Sequence, residues 1–231
     1  VQIEFAEAQA LERQDRCRIV RTDAGEFSAW AVLIATGSSY RRLGVPGEDH
    51  LIGRGIHYCA TCDGPFYKDK ELLVIGGGNS AAEEGFFLTK YASKVTLMVR
   101  RDELSASQIL REKVFSSPKM GVLYNSEVKE LRGDKRLESV LLRNNKTGEE
   151  QEMRPGGIFV FIGLDTNSQW LKGTLDLDPY GFIITDKTLQ TSIPGVYAAG
   201  DVRDGSTKQV ASAAGEGATA ALMVRAYLQE D

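Results

Sequence analysis

The stretch Glu71-Leu72-Leu73-Val74-Ile75-Gly76-Gly77-Gly78-Asn79-Ser80-Ala81 decides the fold. Its first five residues form a short apolar strand. A G-x-G-x-x-A pattern follows at Gly76, Gly78 and Ala81. Gly76 permits a tight turn, Gly78 lets a pyrophosphate close on the backbone, and Ala81 is small enough for the next helix to pack on the strand. That helix offers its free N–H groups to phosphate. The strand–turn–helix context turns a weak glycine pattern into a dinucleotide site, with Gly76, Gly78, Asn79, Ser80 and Ala81 as its candidate residues. A purely structural glycine turn is the plain alternative.

Downstream, residues 79–91 have helical spacing, 94–99 read as a strand, 108–115 as a helix and 121–124 as a strand. Such alternation predicts an α/β fold with a parallel sheet covered by helices. The strand Val95–Val99 ends in Arg100-Arg101. A carboxylate at this point would accept from the ribose 2′-hydroxyl of NAD, whereas guanidinium groups grip a 2′-phosphate. NADPH is therefore the expected cofactor, with Arg100 and Arg101 as contacts. The alternative is a solvated strand end.

Upstream lies His57-Tyr58-Cys59-Ala60-Thr61-Cys62-Asp63-Gly64. Cysteines in C-x-x-C spacing close a small redox-active disulfide. Asp63 is placed to donate and accept the proton that thiol exchange needs. The rival is a structural zinc site, which wants four ligands. It would have to recruit from Cys17, His50 and His57. Cys17 sits within a strand pattern and reads as an inert thiol.

The flanks are strand-rich. Residues 1–5 read as a strand, 17–21 alternate, and Asp23-Ala24-Gly25 is a hairpin turn. The apolar run 29–35 reads as a buried strand stopping at Thr36-Gly37, where glycine brings backbone close to a ligand. Residues 126–163 return to strands, with Asn144–Gly148 as a hairpin turn and 157–162 as an apolar strand. Beyond a strand at 195–199, Ala199-Gly200-Asp201-Val202 puts an aspartate where it would accept from a ribityl or ribose hydroxyl. Lys208-Gln209-Val210 opens the last helix, of about 20 residues, whose positive end would face a flavin ring. The alternative for Asp201 is a helix cap.

The 231 residues carry a formal net charge of -4 without a Lys/Arg block, which argues against nucleic-acid binding. No apolar run approaches the roughly 20 residues of a membrane span, and none reads as a secretory signal. Three cysteines are too few for a stapled secreted scaffold, so a cytoplasmic protein is expected.

Together, Cys59-Ala60-Thr61-Cys62-Asp63-Gly64, Gly76–Ala81 and Arg100-Arg101-Asp102 resemble the pyridine-nucleotide domain of low-molecular-weight thioredoxin reductases. Ala35-Thr36-Gly37 and Thr191–Val202 are similar to the FAD domain of that family. The resemblance runs essentially end to end. It implies two Rossmann-like domains: a partial, discontinuous FAD domain at 1–42 and 164–231, and an inserted NADPH domain at 43–163. It also implies Thr36, Gly37, Asp201, Lys208, Gln209 and Val210 as FAD contacts. Electrons would pass from NADPH through FAD to Cys59–Cys62, with Cys62 against the flavin, Cys59 attacking thioredoxin and Asp63 as acid–base. A domain rotation and a homodimer are part of the family pattern.

There are departures. Val99 stands where the family often has His, Ser105 where it has a third Arg, and Lys208 where Arg is usual. Gly163-Leu164-Asp165-Thr166-Asn167 replaces Gly-His-x-Pro-Asn. No G-x-G-x-x-G for FAD precedes Val1, so by comparison a segment of about 80 residues is expected to be missing. Two other readings stay open. One is a related flavoprotein reductase serving a peroxiredoxin-type acceptor. The other is a module that binds NADPH without turnover.

Overall fold

The computed structural model describes residues 1–229, and the chain divides into two compact units, 1–39 with 164 onward and 40–163. In chain order the first contains β1 (Ala8–Gln14), β2 (Cys17–Thr22), β3 (Gly25–Ala29) and β4 (Val32–Ile34), followed by β5 (Ser38–Tyr40). Next come α1 (Glu48–Leu51), β6 (Ile56–His57), α2 (Ala60–Asp63), β7 (Glu71–Ile75), α3 (Asn79–Leu88), β8 (Lys94–Met98) and α4 (Gln108–Ser116). The second unit closes with β9 (Met120–Leu123), β10 (Ser126–Arg132), β11 (Ser139–Asn144), β12 (Glu150–Met153) and β13 (Gly157–Val160). The chain then returns through β14 (Leu164–Thr166), β15 (Val196–Ala198) and α5 (Val210–Tyr227).

The main sheet of the second unit is parallel, in the order β6-β13-β7-β8-β9. Leu72–Ile75 are all buried, as a strand covered on both faces must be. Leu72 and Val74 pack with Ala81, Ala82, Leu88 and Val114 from α3 and α4. Leu73 and Ile75 turn the other way, onto Val128, Leu131, Val140 and Leu142 of the antiparallel β10-β11-β12 sheet. The two-residue period of the strand thus builds two cores at once. β8 and β9 lie to one side of β7 and β13 to the other, so the order reverses at the carboxyl ends of β7 and β13. Open α/β sheets bind ligands at that reversal.

The expected α3 is longer than the observed one. Thr89, Lys90 and Tyr91 donate three residues back, to Phe86, Phe87 and Leu88, so the helix tightens and stops.

The first unit holds the antiparallel β1-β2-β3 meander and the parallel pair β4–β15, while β14 pairs with β5. Its core gathers Leu11, Ile34, Leu171, Ile183, Val196, Ala198 and Val202. Two expectations are corrected here. Residues 1–5 are not a strand: β1 begins at Ala8, and Val1, Ile3 and Phe5 are exposed without a ladder partner among the described residues. The apolar run 29–35 is not one buried strand either. Ala29 ends β3, Trp30 is exposed, and Leu33 in β4 is 40% exposed while Ile34 is buried. β4 has one strand neighbour among the described residues, β15, and leaves Leu33 exposed.

Candidate active site

β6 delivers His57 to the carboxyl edge of the sheet, and Cys59 becomes the N-cap of α2. The Cys62 amide donates to Cys59 Sγ at 3.1 Å, and the Asp63 amide to the Cys59 carbonyl at 3.1 Å. The two sulfurs are bonded at 2.04 Å, with Cα atoms 5.3 Å apart. Cys59 is half-buried and Cys62 exposed. A Cβ on Gly64 would come 2.8 Å from Leu88 Cδ2, so the redox turn is pressed against α3.

Behind the disulfide lies a polar chain. His57 Nδ1 is 3.2 Å from Asp63 Oδ2, and His57 Nε2 is 2.6 Å from the Tyr67 hydroxyl. Burial pushes His57 below its ordinary value, against the opposing pull of the Asp63 charge, and this favours a neutral ring. Burial first, then the Asp63 charge, push Tyr67 up. On the next residue, the Tyr58 hydroxyl donates to Glu48 Oε1 at 2.7 Å. Glu48 is buried and also accepts from the amides of Leu43 (2.9 Å) and Gly44 (2.8 Å). Burial and then Glu48 raise Tyr58 well above the usual phenol range. These partners fix the backbone that leads into Cys59.

The glycine turn sits at the strand-order reversal. Gly76 has φ +142°, and a Cβ there would stand 2.4 Å from the Phe161 carbonyl oxygen and 2.8 Å from Ala81 Cβ. Ala81 is fully buried against the sheet. A Cβ on Gly78 would meet only Ser105 Oγ, at 3.9 Å. α3 starts from Gly78 with no side-chain cap, which leaves its first amides available to an anion. Ser80 is exposed there. Asn79 Oδ1 accepts from the Ser107 amide at 2.8 Å, so Asn79 braces the turn against the start of α4. Arg100 and Arg101 are exposed at the end of β8, with no ion pair or side-chain hydrogen bond among the described residues. An open anion cradle with two uncommitted guanidinium groups fits a phosphorylated dinucleotide.

In the first unit, Gly37 has φ +69° with open space beside it. Thr36 Oγ1 donates to the Asn167 carbonyl at 2.8 Å, and Asn167 Nδ2 returns a bond to the Thr36 carbonyl at 2.7 Å. Asp201 Oδ1 is buried without a hydrogen-bond partner among the described residues. Orphaned buried acceptors are uncommon, and a ligand hydroxyl would complete this one. That observation fits the ribityl chain of FAD. Glu216 of α5 accepts from the Gly200 amide (2.8 Å) and from Arg203 Nε (3.1 Å) and Nη2 (2.6 Å), fixing the turn before Asp201. Lys208 has φ +56° and directs its ammonium to the carbonyls of Arg203 and Ser206 and over the Phe182 ring. Gln209 caps α5 through its backbone and Val210 is 87% exposed, so the helix start is open.

The structure therefore gathers Cys59, Cys62 and Asp63 in one turn, and Gly76–Ala81 with Arg100 and Arg101 along one sheet edge. Thr36, Gly37, Asp201 and 208–210 belong to the other unit. His57, Tyr67, Glu48, Asn167 and Glu216 escaped the sequence reading as partners. Their carbonyl, carboxylate and ring contacts have no fixed spacing.

Residues 1–217 match the family described as pyridine nucleotide-disulphide oxidoreductase. The chain is 44% identical to a thioredoxin reductase of Peptoclostridium litorale, over 94% of its own length and 70% of the relative's. It is 46% identical to one from Streptomyces coelicolor, over 95% and 69%. The crystal structure of thioredoxin reductase from Streptococcus pyogenes superposes with a TM-score of 0.94 at 41% identity, covering 98% of this chain and 74% of that one. A thioredoxin reductase from Giardia duodenalis gives 0.91 at 34% identity, covering 98% and 75%. With its glycine turn, its disulfide turn and this breadth of match, the chain belongs to the pyridine nucleotide-disulphide oxidoreductases, and within them to the thioredoxin reductases.

Proposed function

We propose that the protein is a thioredoxin-disulfide reductase, carrying two electrons from NADPH by way of FAD to the Cys59–Cys62 bond and on to thioredoxin. FAD, when bound, supplies the hydride-accepting and disulfide-reducing electron store that no side chain offers. Residues 43–163 would hold NADPH, with the amides after Gly78 serving the pyrophosphate and Arg100 and Arg101 the 2′-phosphate. Residues 1–42 and 164–231 would hold FAD, through Thr36-Gly37, Asp201 and the start of α5 at Lys208, Gln209 and Val210.

Reduction breaks the sulfur–sulfur bond and leaves a thiol and a thiolate. The Cys62 amide at 3.1 Å stabilises charge on Cys59 Sγ, which attacks the thioredoxin disulfide. Cys62 then attacks Cys59 in the mixed disulfide, releasing thioredoxin as a dithiol and restoring the internal bond. Asp63 supplies the proton that the outgoing thiolate takes up, and solvent reprotonates it. The balance is NADPH plus one proton plus a disulfide, giving NADP⁺ and a dithiol.

The observation that carries this reading is the closed Cys59–Cys62 bond with Asp63 in the same turn, in the same compact unit as the dinucleotide cradle. The test is stopped-flow reduction of the holoenzyme by NADPH, followed by thioredoxin turnover. Cys62→Ser should keep NADPH-driven flavin bleaching and lose thioredoxin reduction. Unchanged thioredoxin reduction in that variant would discard the role.

The assembly is a homodimer in the cytoplasm by the same resemblance. No helix among the described residues is long and apolar enough to cross a membrane. Light scattering and cell fractionation test both statements.

A further inference from the structure

We propose that His57 is a positioning residue for the disulfide chemistry: held between Asp63 and Tyr67, it fixes which oxygen of the Asp63 carboxyl serves the cysteine pair. The proposal rests on the reading of Asp63 as the proton donor.

The geometry leaves the ring one arrangement. His57 is 8% exposed, with the Phe159 ring centroid 5.3 Å away on one side and the Tyr67 ring at 5.2 Å. Among the described residues, the ionisable groups in contact with it are Asp63 from α2 and Tyr67 from the turn Gly64–Tyr67, and β13 presents Phe159. A carboxylate is an acceptor only, so Nδ1 carries the hydrogen and donates to Asp63 Oδ2. Nε2 is then an acceptor, matched by the Tyr67 hydroxyl at 2.6 Å. Burial favours the neutral ring that this pattern requires.

The consequence falls on Asp63. Its side chain is 31% exposed, and the contact with His57 holds one of its two oxygens. With Oδ2 occupied by the His57 N–H, a proton on the carboxyl resides on Oδ1. The outgoing thiolate takes that proton and becomes a thiol, and Asp63 becomes a carboxylate that solvent reprotonates. His57 neither gains nor loses a proton in the step. It holds the donor in register, as partners behind a reactive ligand commonly do.

Side-chain shape supplies the test. Asn at position 57 places an N–H where Nδ1 stands, while Gln reaches toward Nε2 and Tyr67. Two measurements are made: thioredoxin turnover against pH, and iodoacetamide alkylation of the dithiothreitol-reduced cysteines against pH, resolved by peptide mass. His57→Gln and His57→Leu should lower kcat about tenfold with the KM for NADPH unchanged. Both should displace the alkylation profile along the pH axis relative to the parent. His57→Asn should recover kcat to within about threefold and restore the parent's alkylation profile. If Gln and Leu match the parent in both profiles, or Asn is as impaired as Leu, the proposal is overturned. If His57→Leu does not fold, the contrast between Asn and Gln decides alone. Asp63→Asn separates the two levels. Its full activity would sink the acid role and this proposal together, whereas its impairment beside silent His57 variants sinks only the latter.

Discussion

Ser105 donates its hydroxyl to the Gly77 carbonyl at 3.1 Å, and the Ala106 amide donates to the same oxygen at 3.1 Å. The residue that stands in place of a family arginine therefore braces the phosphate turn itself. Its loss affects pyrophosphate binding and is blind to the 2′-phosphate. Ser105→Ala should raise the KM for NADPH and for NADH by the same factor, about fivefold for one hydrogen bond of about 1 kcal/mol. Arg100→Ala and Arg101→Ala should each raise the NADPH value about tenfold and leave NADH alone. Steady-state kinetics with both nucleotides checks the split.

The two outer glycines of the turn should respond in opposite ways. Gly76 combines φ +142° with a Cβ position 2.4 Å from a backbone oxygen. Gly76→Ala should destabilise the fold by about 2–4 kcal/mol, read as a lower urea midpoint. A Cβ on Gly78 meets nothing closer than 3.9 Å, and its φ is -89°. Gly78→Ala should keep the midpoint and weaken NADPH, because the methyl occupies space the pyrophosphate needs.

Asp201 Oδ1 is buried and lacks a hydrogen-bond partner among the described residues. Asp201→Ala should thus cost FAD retention, with loss of the visible flavin spectrum after gel filtration. The cofactor-free protein should be as stable as the parent or more so, since an unsatisfied buried acceptor is removed. Parent-like flavin content in this variant would end the assignment.

Two groups set separate pH limits on stability. His57 is held below its ordinary 6.5, chiefly by burial. Above 6.5 its contribution is complete. As pH falls below 6.5 the unfolded chain takes a proton that the folded ring refuses, so stability drops. His57→Asn should remove that slope. Glu216 is held below 4.5, first by its hydrogen bond to Arg203. Its contribution is present above 4.5 and is lost as pH falls through the lower folded value. Glu216→Gln should flatten that acid limb. Thermal midpoints from about pH 3 to pH 8 resolve the two windows.

Much of this was legible because its signals are local. The run Leu72–Ile75, the small residues at 76–78 and 81, and the C-x-x-C spacing each specify backbone geometry through nearest neighbours. The positions of β7, α3, β8 and the disulfide follow from them. Element ends were less legible. α3 stops early through tightened bonds at Thr89–Tyr91, and residues 1–5 have strand composition but no strand partner among the described residues.

The sequence by itself determined the chemistry available to this protein: one cysteine pair with an adjacent acid, one glycine turn before a helix, and two arginines after the next strand. Only the tertiary structure decided which groups support them. It set His57 and Tyr67 behind Asp63, Glu48 beneath Tyr58, Asn167 across Thr36, and Glu216 beside Gly200. Hydrogen bonds between residues from ten to 131 positions apart depend on where elements pack, and no periodicity of the chain records that.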